Sequence, residues 1–179
     1  MNSKPAPIDG CWLLKPSVHV DSRGQFLESF EKSFFAKETG LSIDFIQDNE
    51  VFSRQGVIRG LHIQKDPHGQ AKLVRVVQGL IYDVAVDLRP ESSTYGEWFG
   101  VDLSADNQTQ LFLPKGFAHG YSVLSERAIV QYKVDATYNP EAESGIRYDD
   151  PGLGLDWQVD NPIVSEKDQR LPFFKDLIL

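Results

Sequence analysis

The chain has 179 residues, 41% of them hydrophobic and 25% charged, with a formal net charge of -8 at pH 7. That length suits one domain with a substantial core, and the acidic balance argues against a general nucleic-acid or anionic-membrane binder, which needs clustered Lys and Arg. Cys11 is the single cysteine, so neither an internal disulfide nor a thiolate metal cluster is available. The first residues lack a basic-then-apolar leader pattern, and no apolar run reaches the roughly 18 residues of a membrane span. A cytoplasmic location without membrane contact is the expectation.

In chain order, residues 25–30 read as a first strand and residues 31–39, stopped by Gly40, as the one clear helix. Strands follow at 45–53 and 57–64, and two β-rich runs, 72–78 and 80–88, are hinged at Gly79. Further strands are expected at 98–103, 109–113, 120–124 and 128–134. Turn signals separate them: Asp66-Pro67-His68-Gly69, Arg89-Pro90, Ser104-Ala105-Asp106-Asn107 and Pro114-Lys115-Gly116. The tail over residues 149–179 reads as irregular chain that packs on the barrel or ends it. Many short strands with regular turns, and no repeat or linker, predict a mainly β fold: a single double-sheet jelly roll over 1–179 with a few short helices.

Side-chain alternation turns this organisation into a site. In an extended 57–64 segment, His62 and Gln64 share one face and Leu61 and Ile63 the other. Lys72 heads an apolar row with Val74 and Val76, and Tyr132 interrupts the row of Ala128, Val130 and Val134. If these rows face the interior, His62, Lys72, Tyr132 and His119 converge in a mostly apolar cavity, where pKa values shift and electrostatics strengthen.

The spacing Gly56, His62-x-Gln64, Lys72, Gly79, together with Pro114 to His119, resembles the metal-binding pattern of a cupin barrel. In that pattern position 64 would be a second histidine and position 72 a glutamate. A divalent ion about 4 Å from an ammonium is repelled by roughly 8 kcal/mol at an effective dielectric of 20. Two histidines alone would have to overcome that, so a jelly-roll pocket without a metal is expected.

Several blocks together carry a closer resemblance. They are Asp21-x-Arg23-Gly24-x-Phe26-x-Glu28-x-Phe30, Gln47-Asp48-Asn49, Val57-Ile58-Arg59-Gly60-Leu61-His62-x-Gln64 and Gly69-Gln70-Ala71-Lys72-Leu73-Val74-Arg75. Asp83-Val84-Ala85-Val86-Asp87-Leu88-Arg89, Gly116-Phe117-Ala118-His119-Gly120-Tyr121 and the tail Ser165-x-Lys167-Asp168 complete the set. In this order, from about residue 8 to Pro172, the chain strongly resembles the dTDP-4-dehydrorhamnose 3,5-epimerase family of the cupin superfamily.

The resemblance implies a cofactor-free isomerase acting on a dTDP-4-keto-6-deoxyhexose. His62 would be the base, Asp168 its partner acid, Lys72 the enolate stabiliser and Tyr132 the opposing acid. His119 would hold the keto oxygen or polarise the site. Arg59, Arg23 and Lys167 match diphosphate-side contacts, and Phe26, Glu28, Gln47, Asn49 and Glu143 match further ligand positions. Tyr138 offers a face for thymine stacking, although a β-edge tyrosine fits the position nearly as well. The family also implies a homodimer with exchanged N-terminal strands. His19 and His68 match no catalytic position. Three alternatives stay open at this level: a relative that inverts one carbon or serves another deoxysugar pathway, a metal-dependent cupin enzyme, and a non-catalytic sugar-nucleotide-binding barrel.

Overall fold

The computed structural model describes residues 2–178. Two antiparallel sheets face each other. The first joins β1 (Asn2–Pro5), β2 (Trp12–Lys15), β10 (Gln110–Leu113), β7 (Lys72–Gln78), β12 (Arg127–Val134) and β5 (Gln47–Arg54), in that spatial order. The second joins β13 (Glu143–Gly145), β6 (Val57–Gln64), β11 (Phe117–Val123), β8 (Leu80–Asp87) and β9 (Trp98–Ser104). β14 (Ile163–Val164) adds parallel to β6, and β3 (Val18–Asp21) with β4 (Gly24–Leu27) forms a separate hairpin. The chain thus has the expected mainly β, cupin-type jelly-roll architecture.

Period-two alternation explains which residues fill the space between the sheets. Val74, Val76, Leu111, Leu113, Ala128 and Val130 come from the first sheet; Ile81, Ala85, Leu103, Phe117, Tyr121 and Val123 come from the second. The outer faces are covered separately. α1 (Lys32–Thr39) seats Phe35 against Leu14, Leu73 and Phe112 of the first sheet. The C-terminal segment lays Ile146, Leu153 and Trp157 over Ile58, Leu61, Ile63, Val84 and Val86 of the second.

The helix is set by its ends. Glu31 caps it by accepting from the Ser33 and Phe34 amides, and Gly40 closes it in the left-handed region at φ 72°.

Several sequence expectations change here. Residues 25–30 are not one strand: β4 ends at Leu27, and its partner β3 was not anticipated. The tail expected to be irregular contains β14 and α2 (Glu166–Gln169), with Ser165 accepting from the Asp168 amide at the helix start. The strands β1, β2 and β13 were also missed; each is only three or four residues long, too short for periodicity to register. β11 begins at Phe117, earlier than the strand expected at 120–124, so His119 lies inside it. No helix among the described residues is long and apolar enough to cross a membrane.

Candidate active site

β6 and β11 build the centre of the site, and two glycines set their geometry. His119 pairs with His62, and Tyr121 with Arg59, so Gly60 and Leu61 together oppose the single residue Gly120. This bulge reverses the side-chain phase of β6. Val57 packs toward the inter-sheet core and Ile58 away from it, whereas Leu61 and Ile63 point outward. His62 therefore returns to the inward side shared by Arg59, whose Nε donates to Ser53 Oγ of the opposite sheet at 3.0 Å. Gly60 adopts φ 118°, and a Cβ there would meet His119 O and Gly120 Cα at 2.6 Å. Only glycine allows this close approach.

His62 Nε2 lies 2.8 Å from Asp168 Oδ1, bridging β6 to α2. Asp168 is buried at 4% exposure, and its other oxygen accepts from the Gly60 amide at 3.2 Å. Burial by itself would raise this carboxyl. The hydrogen bonds and charge from His62, with the Gly60 amide and the Ser165 hydroxyl, outweigh it and hold Asp168 below the usual carboxylate range. An ionised Asp168 accepts only, so Nε2 carries the ring proton and Nδ1 presents its lone pair. A cleft of about 460 Å³ opens beside the pair, lined by Arg59, His62, Ser165, Lys167 and Asp168 among others.

Behind His62, His119 Nε2 sits 3.0 Å from both oxygens of Asp83, a carboxylate fully buried on β8. Burial lowers the His119 pKa despite Asp83, and the nearby charges of Lys72 and His62 push in the same direction. Lys72 opens β7 and makes no hydrogen bond or ion pair among the described residues. Burial lowers its ammonium to about 8, against the opposing pull of Asp83 and Glu143.

On the first sheet, Val74, Tyr132 and Asn49 stand in register on adjacent strands, and Lys72, Val134 and Gln47 form the neighbouring row. Register partners share a face, so Gln47, Asn49 and Tyr132 look inward with Lys72. Gln47 Nε2 donates to Asn49 Oδ1 at 2.8 Å. Burial raises the Tyr132 phenol, partly offset by Arg59, which keeps it protonated at neutral pH. Near the rim, Glu143 accepts from Lys167 Nζ at 2.5 Å and from the Tyr138 hydroxyl. Glu143 pairs with Gln64 in register and lies within electrostatic reach of His62.

Hydrogen bonds, strand register and mutual charge effects thus connect His62, Asp168, Lys72, His119, Tyr132, Arg59, Glu143, Lys167, Tyr138, Gln47 and Asn49. Arg23, Phe26 and Glu28 do not join them within the chain. Arg23 pairs with its neighbour Asp21 at 2.6 Å, and Phe26 is 65% exposed on the hairpin. Glu28 borders a separate depression with Ser17, His19 and Glu31.

Gln64 is explained by structure: its amide donates to the His68 and Thr137 carbonyls, and its oxygen accepts from the Asn139 amide. The side chain is a tie between loops, occupied on both ends.

Asp83 and Tyr121 were not singled out in the sequence. Asp83 left a legible signal, a carboxylate between Ile81 and Ala85 on the inward face of β8. Tyr121 left none, since an aromatic inside a strand reads as core.

The description dTDP-4-dehydrorhamnose 3,5-epimerase belongs to the family model that matches residues 5–176. A curated protein of that name from Methanothermobacter thermautotrophicus is 52% identical over 166 residues, covering 91% of this chain and 89% of its own. The crystal structure of the enzyme from Elizabethkingia anophelis superposes with a TM-score of 0.94 at 46% identity, covering 98% of this chain and 97% of that one. A Legionella pneumophila 3,5-epimerase, solved in complex with dTDP-4-keto-L-rhamnose, gives a TM-score of 0.95 at 41% identity over 99% of this chain and 94% of that one. On fold, extent and sequence together, the chain belongs to the dTDP-4-dehydrorhamnose 3,5-epimerase family.

Proposed function

We propose that this chain inverts C3 and C5 of dTDP-4-dehydro-6-deoxy-D-glucose, giving dTDP-4-dehydro-L-rhamnose by deprotonation and reprotonation through an enolate. The observation that carries the reading is the 2.8 Å His62–Asp168 pair, with His62 on the second sheet and the inward ammonium of Lys72 and phenol of Tyr132 on the first.

The substrate's 4-keto group acidifies the hydrogens on both neighbouring carbons, so the reaction asks for a base, an acid on the opposite face and a cation near the oxyanion. His62 Nδ1 takes the proton, and Asp168 stabilises the imidazolium that results. Tyr132, protonated because burial raises its phenol, returns a proton from the other side and recovers it from His62 through solvent exchange. The Lys72 ammonium faces the developing enolate oxygen; a preorganised charge of this kind is commonly the largest contribution to such a step. His119, held by Asp83, polarises the same oxygen. No redox step occurs, and the enolate charge is met by side chains, so the reading requires no cofactor.

Arg59 suits a diphosphate through its planar fork. Lys167, Glu143, Tyr138, Gln47 and Asn49 line the approach to the same centre. Arg23, Phe26 and Glu28 enter the reading through a homodimer with exchanged hairpins, which would carry them to the partner's site. The support is a two-stranded hairpin off the main sheets that exposes Val20 at 77% and Phe26 at 65%. Burying such a face and edge against a second copy removes a liability. The same proposal treats residues 1–179 as one functional domain, because the tail supplies Asp168 to a dyad whose histidine lies in β6. It places the reaction in the cytoplasm, a compartment that suits the free Cys11 thiol in the core.

The deciding experiment is turnover of dTDP-4-keto-6-deoxyglucose in heavy water, with the deuterium positions read by NMR. Label at C3 and C5 is expected. Label at one carbon would replace the reading with a single-site epimerase, and no label above the buffer rate would end the assignment.

A further inference from the structure

One buried polar atom in this region has no use in the mechanism above. Tyr121 lies on β11 at 4% exposure, and its hydroxyl oxygen is buried with no hydrogen-bond partner among the described residues. Left without a partner, that hydroxyl would cost about 1–3 kcal/mol that a phenylalanine of the same shape avoids, so its burial calls for one.

Its surroundings are specific. In register, Tyr121 stands between Arg59 on β6 and Asp83 on β8. Ser53 on β5 is the neighbouring hydroxyl, and its Oγ accepts from Arg59 Nε at 3.0 Å. Burial dominates the upward shift of the Tyr121 phenol, with Ser53 and Arg59 pulling the other way, so the group remains a neutral donor beside them. A serine hydroxyl is a free rotor. A second partner on its oxygen is what fixes the lone pair that faces the guanidinium.

We propose that Tyr121 is a positioning residue: its hydroxyl pairs with that of Ser53 and so orients the Arg59 guanidinium, presenting its terminal nitrogens to the diphosphate of a sugar nucleotide. The proposal rests on the substrate reading given above. Tyr121 touches neither the reacting carbons nor the His62–Asp168 pair, so its contribution is to binding. A relay of one neutral hydrogen bond is worth about 3- to 10-fold in affinity.

Tyr121→Phe tests it, with dTDP as the probe for binding and the sugar nucleotide for turnover. The expected result is a 3- to 10-fold rise in both the Kd for dTDP and KM, with kcat and its pH profile unchanged. Ser53→Ala should do the same, and the double variant should be no worse than either single one, because both remove one relay. In the ligand-free protein, the Arg59 Nε–H should exchange with solvent faster in Tyr121→Phe than in the wild type, read by NMR. The melting temperature should change little, since losing one neutral hydrogen bond is offset by no longer burying a hydroxyl.

Unchanged dTDP affinity and unchanged Arg59 exchange would overturn the proposal. So would a fall in kcat at constant KM, which would assign Tyr121 to the chemistry, or a loss of melting temperature without a binding defect, which would make it structural. Failure of the substrate reading is separate: the wild type itself would then neither bind dTDP nor turn over the sugar. The Arg59 exchange comparison would still decide the relay.

Discussion

Lys72 shows the tension between stability and function at the residue scale. Burial lowers its ammonium to about 8, so the unfolded chain binds the proton more tightly than the folded one. Stability therefore suffers below about pH 8 and recovers as pH rises toward the ordinary lysine value. Lys72→Met removes that cost and the enolate cation together. The expected outcome at pH 7 is a melting temperature raised by about 2–4 °C and kcat lowered by about 10²- to 10³-fold. In the wild type, kcat/KM should fall as pH passes about 8, because the neutral amine no longer meets the oxyanion; an alkaline limb that persists in Lys72→Met would assign it to another group.

The two proton-transfer residues separate by the product they leave behind. His62→Ala should abolish deuterium exchange at both carbons, lowering turnover by about 10²- to 10⁴-fold. Tyr132→Phe should retain exchange while inversion fails, because the base still abstracts and the opposite-face donor is gone. Normal inversion by Tyr132→Phe would move that role to another residue. Lys72 and Tyr132 were legible from alternation, since each heads or interrupts an apolar row, and His62 from the cupin-like spacing and the face it shares with Gln64. Asp168 was legible only by resemblance: it lies 106 positions from His62, and no local pattern announces a contact across that separation.

At the scale of elements, the Gly60 bulge does the decisive work. An ideal 57–64 strand would have put Arg59 on the outward side with Leu61 and Ile63. The inserted residue returns His62 to the inward side with Arg59, and Gly60 also donates its amide to Asp168. Gly60→Ala forces a Cβ into the His119 carbonyl and the Gly120 backbone, neither of which can yield like a flexible side chain. A loss of about 1–3 kcal/mol in stability is expected by denaturant titration, with a larger fractional loss in kcat than in dTDP binding as the His62–Asp168 pair is displaced. Equal activity would mean that the strand relaxes without moving the dyad. The strand itself was readable from its alternation, but a reading at period two cannot locate an added residue. Strand β3 and the short α2 were unread for another reason: at four residues each they give too little alternation to register.

Over the whole molecule, the question is which chain supplies Arg23. The hairpin that carries it forms no sheet with the strands of the His62 site. In the proposed exchanged dimer, each site takes Arg23 from one chain and His62 from the other. Mixing Arg23→Ala with His62→Ala protein after reversible dissociation should therefore restore activity, because half of the hybrid's sites receive both native residues. Activity no higher than the sum of the two separate variants would place Arg23 in the same chain as its site and remove the exchange.

The sequence by itself determined the mainly β jelly roll, the inward histidine, lysine and tyrosine, and the replacement of cupin metal-ligand positions by Gln64 and Lys72. These are local or periodic properties, written in alternation and residue type. Tertiary structure alone decided that Asp83 braces His119, that Gln64 ties loops together and that Tyr121 is left beside Ser53 and Arg59. Each of those depends on how strands distant in sequence pair and how the two sheets pack. Neither has a signature within any single segment.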